Sequence, residues 1–328
     1  MALTTVESAT TGPVRAQVAH ALEGGRRDVP GRLFELVLGL CLLASLAVLA
    51  MLLVDVWRDG TGVYADRGQS FLEGGLSSSA ERAGIAQGLI GSFWIAVTVV
   101  VVALPLGIGA AVYLEEYAPR TRLTSFIEVN VRNLAGVPSV VYGLLGLAVF
   151  VELFNGFSGS SGVGNRTLLA GGLTLAVLVL PIVIITTAEA IRAVPQSLRE
   201  GAYGAGATRW EVIRTQVLPY ALPGILTGAL LSIARAVGEA APLILVGALT
   251  GLAGRSPGLS VSSVLDPGSL LERFTAMPNV ITTWAKQPQP GFNTTNTAAA
   301  IIAMLVFVLL VNSIAIVLRN RFERKRSS

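Results

Sequence analysis

Polar and apolar positions fall in long blocks along this chain, not at the short periods of half-buried helices or strands. Five runs, residues 33–54, 88–114, 168–188, 218–249 and 297–318, hold at most two charged residues each. Each is long enough to cross about 30 Å of hydrocarbon as a helix. A sixth run, 134–151, is shorter and interrupted by Gly136, Pro138, Gly143 and Gly146. Small residues of this kind are common where membrane helices pack closely, so the run counts as a span. The expected fold class is therefore all-α: a polytopic membrane protein with six transmembrane helices.

The segments between these runs are of different kinds. Residues 57–87 and 251–296 are rich in Gly, Ser and Pro and read as loops over one mouth of the bundle. Residues 117–133 carry a short amphipathic stretch, with Leu123, Phe126, Ile127 and Val131 set against Glu128 and Arg132. Residues 189–217 are patterned further. A helical stretch over 189–200 is followed by Gly201, Gly204 and Gly206, and a second helix starts at Thr208. There Thr208 and Glu211 have the spacing of a capping box. At 29 residues, where connections usually run about 4–6, this helix–glycine–helix segment has the character of something built to be gripped.

Composition agrees with lipid as part of the solvent. Of 328 residues, 52% are hydrophobic and only 13% charged, against about 25% in soluble domains, and mean hydropathy is +0.67. The net charge of +4 does not point to nucleic acid, because the basic residues flank the spans. With the N-terminus inside, 16 Lys and Arg fall in the inner segments against 7 in the outer ones, which predicts both termini in the cytoplasm. The single Cys41 lies in the first run and the single His20 in the polar N-terminal tail. No intrachain disulfide, histidine catalysis or His/Cys zinc site follows from such an inventory. The expected organisation is a disordered tail over 1–32, an anchor and outer loop over 33–87, a five-span core over 88–318 containing the 189–217 loop, and a basic tail over 319–328. The first apolar run is too long for a cleaved signal, so it reads as a retained anchor.

Several motifs resemble one family. Glu200-Gly201-Ala202, three further residues, Gly206, eleven more and then Leu218-Pro219 resemble the EAA loop of bacterial ABC-importer permeases, with Gly201 and Gln216 departing from that pattern. The run from Asn133 through Val137-Pro138-Ser139 to Gly143 is similar to a span signature of phosphate-importer permeases. Ala234-Arg235-Ala236-Val237-Gly238-Glu239-Ala240-Ala241-Pro242-Leu243 resembles the corresponding signature of their PstA-type subunit. The resemblance covers about residues 85–322. It implies a MetI-like permease core that pairs with a homologous PstC-type permease. It also implies two PstB-type ATP-binding subunits docked at Glu200, Gly201, Ala202, Gly206, Leu218 and Pro219, and a PstS-type phosphate-binding protein outside. ATP and magnesium would sit on the partner subunits.

The residues themselves agree on one point. The chain has no Gly-x-x-x-x-Gly-Lys-Ser/Thr loop, so its energy is expected from elsewhere and it is no enzyme by itself. The sharpest local feature is Arg235 with Glu239, two ionisable groups inside an apolar run, where each costs about 2.5–3.5 kcal/mol on insertion scales. On a continuous helix, Gly228, Ser232, Arg235 and Glu239 would share one small or polar face. That places Arg235, Glu239 and Ser232 on a substrate pathway. The guanidinium fork suits a tetrahedral oxyanion, and Glu239 would accept a hydrogen bond from protonated phosphate. The competing reading is an ion pair that only holds the bundle. Two other functions compete: a permease for another oxyanion such as sulfate or molybdate, and a secondary transporter working alone.

Overall fold

A computed structural model describes residues 29–153, 166–248, 270 and 273–327. Residues 1–28 of the expected N-terminal tail lie outside them, as do residues 251–269 and 271–272 of the 251–296 loop and Leu249, while the last four tail residues already belong to the first helix. The described elements are helical apart from one isolated bridge between Thr167 and Arg273. Two units, 1–55 and 56–328, are distinguished.

In the first unit the described part is the beginning of helix α1 (Val29–Glu73). Its apolar side chains, from Leu33 to Val54, are exposed on all sides. A helix that is apolar all round belongs in lipid.

The second unit contains the rest of α1 and the remaining elements. α2 (Ala86–Val112) ends in a π turn, Tyr113–Tyr117. α3 (Arg122–Ala135) and α4 (Ser139–Gly146) follow, α4 ending in a second π turn, Leu147–Val151. Next come α5 (Leu168–Arg192), α6 (Gln196–Gly204) and α7 (Arg209–Val212). A third π turn, Ile213–Val217, joins α7 to α8 (Leu218–Gly238), which is followed by α9 (Ala241–Val246). α10 (Met277–Trp284), the turn Gly291–Asn296 and α11 (Thr297–Ser327) complete the chain. Five helical segments are long and apolar enough to span a membrane, or six if the bent pair α3–α4 counts as one.

α5 is the most enclosed of these spans. It packs on α2 by reciprocal small-for-branched exchange: a Cβ on Gly172 would meet Thr98 Cβ at 2.8 Å, and one on Gly107 would meet Val183 Cγ1 at 2.5 Å. Leu175, Leu178 and Val179 of α5 bury with Ile95, Val99 and Ala103 of α2 in the main core. Close backbone approach through small residues is how helices associate where lipid removes the usual hydrophobic drive.

Four expectations are corrected. The 57–87 segment is not all loop: α1 continues to Glu73, because Val63 and Phe71 bury among Ala83, Ile85, Met277, Trp284 and Phe292. A kink at Arg67 lets its guanidinium donate to the carbonyls of Ala80 and Ala83 and to Asn296 Oδ1.

The run 134–151 is not a straight span. α3 and the α4 segment meet at 101°. Pro138 disfavours helical backbone at Val137 and has no N–H for the Leu134 carbonyl, which accepts instead from the Val137 N–H at 3.1 Å and the Tyr142 hydroxyl at 2.9 Å.

The helix expected over 189–200 is two helices. α5 stops at Arg192 and α6 starts at Gln196, with Pro195 extended between them. Last, the 218–249 run breaks after Gly238, where Glu239 is extended at φ −82°, ψ 119°. Pro242 has no N–H for the Gly238 carbonyl, and its ring would crowd that carbonyl in a continuous helix.

Candidate functional site

The break after Gly238 determines what the polar stripe of α8 does. Ser232 is fully buried and donates to the Gly228 carbonyl at 2.9 Å. Gly228 lies hard against α5, where a Cβ would meet Thr186 Cβ at 2.5 Å. This half of the stripe faces a sister helix, and the Ser232 hydroxyl satisfies its own backbone. The other half is open. The Arg235 side chain is 47% exposed and that of Glu239 20%, and Arg235 Nε stands 3.5 Å from Glu239 Oε1.

Among the described residues that long contact is the one partner Arg235 has. At 3.5 Å it lies at the outer limit of a hydrogen bond. A guanidinium carries five N–H donors in a fixed fork, so most of its bonding capacity is unused. The extended backbone at Glu239 brings its carboxylate beside Arg235 even though the helix has ended. The two residues are thus together without sharing a helical face.

α4 and α9 form the adjoining wall. A Cβ on Gly143 would meet Pro242 Cα at 2.7 Å, and one on Gly146 would meet Thr174 Cγ2 at 2.6 Å. Those two glycines of the 134–151 run are packing residues. Gly136 touches only its own turn, beside the Asn133 carbonyl.

The 189–217 segment has a packed underside and an open upper face. Val194, Val212, Val217, Ala221 and Ile225 bury with Ile191, and Ala202 and Leu218 pack against them. Glu200, Gly201, Gly206 and Pro219 are exposed, as are the rings of Tyr203 and Trp210.

α6 ends in a Schellman motif: the Gly206 N–H bonds the Tyr203 carbonyl, and the Ala207 N–H bonds that of Ala202. Gly206 is held at φ +84° with nothing within 4 Å of a notional Cβ. Glycine is needed there for the left-handed backbone, not for space. The capping box forms as expected. Thr208 N–H donates to Glu211 Oε2 at 2.7 Å and Glu211 N–H to Thr208 Oγ1 at 3.4 Å.

A set of partners beneath this loop was not read from the sequence. Glu115, Glu116 and Tyr117, in the π turn that ends α2, each hold an arginine. Arg192 Nε donates to Glu115 Oε2 at 2.9 Å, and Arg199 donates to Glu116 Oε1 at 2.9 Å. The Arg209 guanidinium lies 5.1 Å from the Tyr117 ring centre. These arginines read only as topology signals. The adjacent carboxylates at the end of an apolar run were the signal that they had partners.

Comparison with known proteins places this geometry. Residues 103–328 match the family model described as "Binding-protein-dependent transport system inner membrane component". The chain is 34% identical over 224 residues to the "Probable ABC transporter permease protein YqgI" of Bacillus subtilis, covering 68% of this chain and 72% of that protein. It is 32% identical over 246 residues to the "Phosphate transport system permease protein PstA" of Haemophilus influenzae, covering 75% and 78%. To the PstA protein of Mycobacterium leprae it is 43% identical over 167 residues, about half of each chain.

In fold it is similar to a solved "bacterial ABC transporter involved in the import of the acidic polysaccharide alginate". The TM-score is 0.55 at 13% identity, covering 94% of this chain and 96% of that one. The chain belongs to the binding-protein-dependent ABC-importer permeases, multi-pass membrane proteins, and its sequence groups with the PstA-type members of that family.

Proposed function

We propose that this chain is one of two permeases of an ATP-driven importer of inorganic phosphate, with both termini in the cytoplasm. Its partners are a PstC-type permease, two PstB-type ATP-binding subunits and a PstS-type binding protein. The ATP-binding subunits grip the open face formed by Glu200, Gly201, Tyr203, Gly206 and Trp210. The arginine excess at that end of the bundle supports a cytoplasmic position. Hydrolysis takes place on the partners, and this chain converts their movement into alternating access.

The observation that carries the reading is Arg235. An ionised group at membrane depth is a functional site by default, and this one is half open, beside a broken helix, with one long contact. Irregular backbone at that depth is tolerated where it lines a cavity or is buried in protein. The guanidinium fork matches two oxygens of a tetrahedral anion. Glu239 stands where it would accept a hydrogen bond from a protonated phosphate oxygen, a donor that a fully ionised sulfate does not offer.

The test is to purify the chain with its co-expressed neighbours, reconstitute the complex in liposomes and measure ATP hydrolysis with each oxyanion and its binding protein. Phosphate is expected to stimulate hydrolysis and to accumulate inside. Stimulation by sulfate or molybdate instead would reassign the substrate. Uptake by this chain without ATP-binding subunits would make it a secondary transporter.

A further inference from the structure

Three consecutive residues at the end of α2 take one arginine from each of three consecutive elements. Glu115 holds Arg192 at the end of α5, Glu116 holds Arg199 on α6, and Tyr117 lies under Arg209 on α7. The π turn Tyr113–Tyr117 presents all three side chains toward the loop. The middle contact is the most enclosed: Glu116 is buried, and Arg199 also donates to the Ile191 carbonyl at 2.9 Å. Arg192 further reaches Glu128 of α3 at 3.7 Å.

The loop is therefore fastened to α2 by its underside, while its outer face is left open. From the end of α2 the path continues through packed elements. α2 lies against α5 at Gly107 and Gly172, and α5 lies against Gly228 on α8, two turns from Arg235.

We infer that Glu116 and Arg199, with Glu115, Arg192, Tyr117 and Arg209 around them, are positioning residues. They make the loop and the end of α2 one rigid body through the transport cycle. A push on the loop then moves α2 and α5 together, instead of bending the loop on its own short helices. Without the clamp, the Pro195 break and the Gly206 turn would act as hinges and absorb the movement. The inference rests on the reading of the loop as the ATPase-docking segment.

The test uses the complete reconstituted importer and reads phosphate transported per ATP hydrolysed. Glu116→Arg and Arg199→Glu are each expected to lower that ratio about tenfold, within the usual range of coupling between sites. ATP-binding subunits should still co-purify and basal hydrolysis should continue. The double charge swap is expected to restore most of the ratio. A normal ratio in either single variant, or no recovery in the swap, overturns the inference.

If charge reversal prevents accumulation in the membrane, Glu116→Gln and Tyr117→Leu carry the same measurement, and an unchanged ratio in both has the same meaning. A second arm places cysteines at 116 and 199 in a Cys41→Ser background. The two positions line an open groove together with Arg120 and Gln196. A short bismaleimide across them should restore the coupling that loss of the charges removed. Cross-linked importer that still hydrolyses ATP without transport would show that the clamp must open, and would sink the rigid-body claim. A wild-type complex without phosphate-stimulated hydrolysis would instead overturn the functional reading, and the variants are judged only where that stimulation is present.

Discussion

Arg199 and Arg235 are the same residue type in opposite states of use. Arg199 donates to a buried carboxylate and to the Ile191 carbonyl, each at 2.9 Å, with weaker contacts to the Val194 carbonyl and Gln196 at 3.5 Å. Among the described residues Arg235 has a single contact, at 3.5 Å, and its side chain is nearly half exposed. The first holds elements together, and both terminal nitrogens of its fork are spent on protein oxygens, its buried Nε alone lacking a partner among the described residues. The second has oxygens still to find. Burial of a charge raises the cost of leaving it unpaired, so satisfaction of the fork, more than depth in the bundle, separates a structural arginine from one available to a ligand.

Arg235→Ala is the substitution that could break this contrast, and its effect should be the largest. Hydrogen bonds to charged groups contribute about 1.5–3 kcal/mol, so uptake is expected to fall about 10- to 100-fold. Membrane insertion and co-purification of the ATP-binding subunits should be unchanged. Arg235→Lys keeps the charge but loses the fork, and should recover only part of the rate. If either variant transports normally, Arg235 and Glu239 are a structural pair and the distinction from Arg199 disappears.

Next in size is a test of the wall beside the site. Gly143→Leu forces side-chain atoms into the place of Pro242 Cα. Overpacking of this kind costs about 1–3 kcal/mol, and α9 must shift away from α4. Thermal stability in detergent should drop, and uptake should fall several-fold with the ATPase complex intact. Unaltered stability would mean that α4 does not brace the helix break. At the loop, Gly206→Val imposes a β-branched residue on a φ of +84° and costs about 1–2 kcal/mol. Co-purification of ATP-binding subunits should weaken while Arg235 and its surroundings are unaffected. Normal recovery of those subunits would dissociate the loop from docking.

What was legible in the sequence followed the physics each signal obeys. The apolar runs located the spans, because lipid demands length and low charge. Thr208 and Glu211 gave the cap, since that motif is closed within four residues. The amphipathic stretch became α3 for the same local reason.

The signals that failed were tertiary or hung on single prolines. Pro195 split one expected helix, Pro138 bent a span, and Pro242 ended α8 three residues after Arg235. Helical spacing put Ser232 on the same face as Arg235. The structure brings Arg235 and Glu239 together across a break and turns Ser232 to its own backbone. Residues 57–73 read as loop because their helix is held by Phe71 and its distant neighbours, contacts that no local pattern encodes. The Glu115–Glu116 clamp escaped for the same reason: its partners lie 77 and 83 positions away.

The smallest expected effect sharpens the comparison from the side of the loop. Thr208→Ala removes the hydroxyl that accepts from Glu211 N–H and donates to the Glu211 carboxylate at 2.8 Å. Loss of an N-cap of this kind costs about 1 kcal/mol. α7 is only four residues long and carries Arg209, so fraying there should loosen the contact with Tyr117 before the ion pair at Arg199 is touched. Limited proteolysis in membranes should cut faster near residues 205–210, and uptake should fall about two- to threefold, no more than a loss of that size allows. Arg235 is remote from this turn, so selectivity among oxyanions should stay as in the wild type. A change in selectivity would mean that the loop and the helix break respond to one another at rest, and the two arginines could no longer be treated as separate parts of the machine.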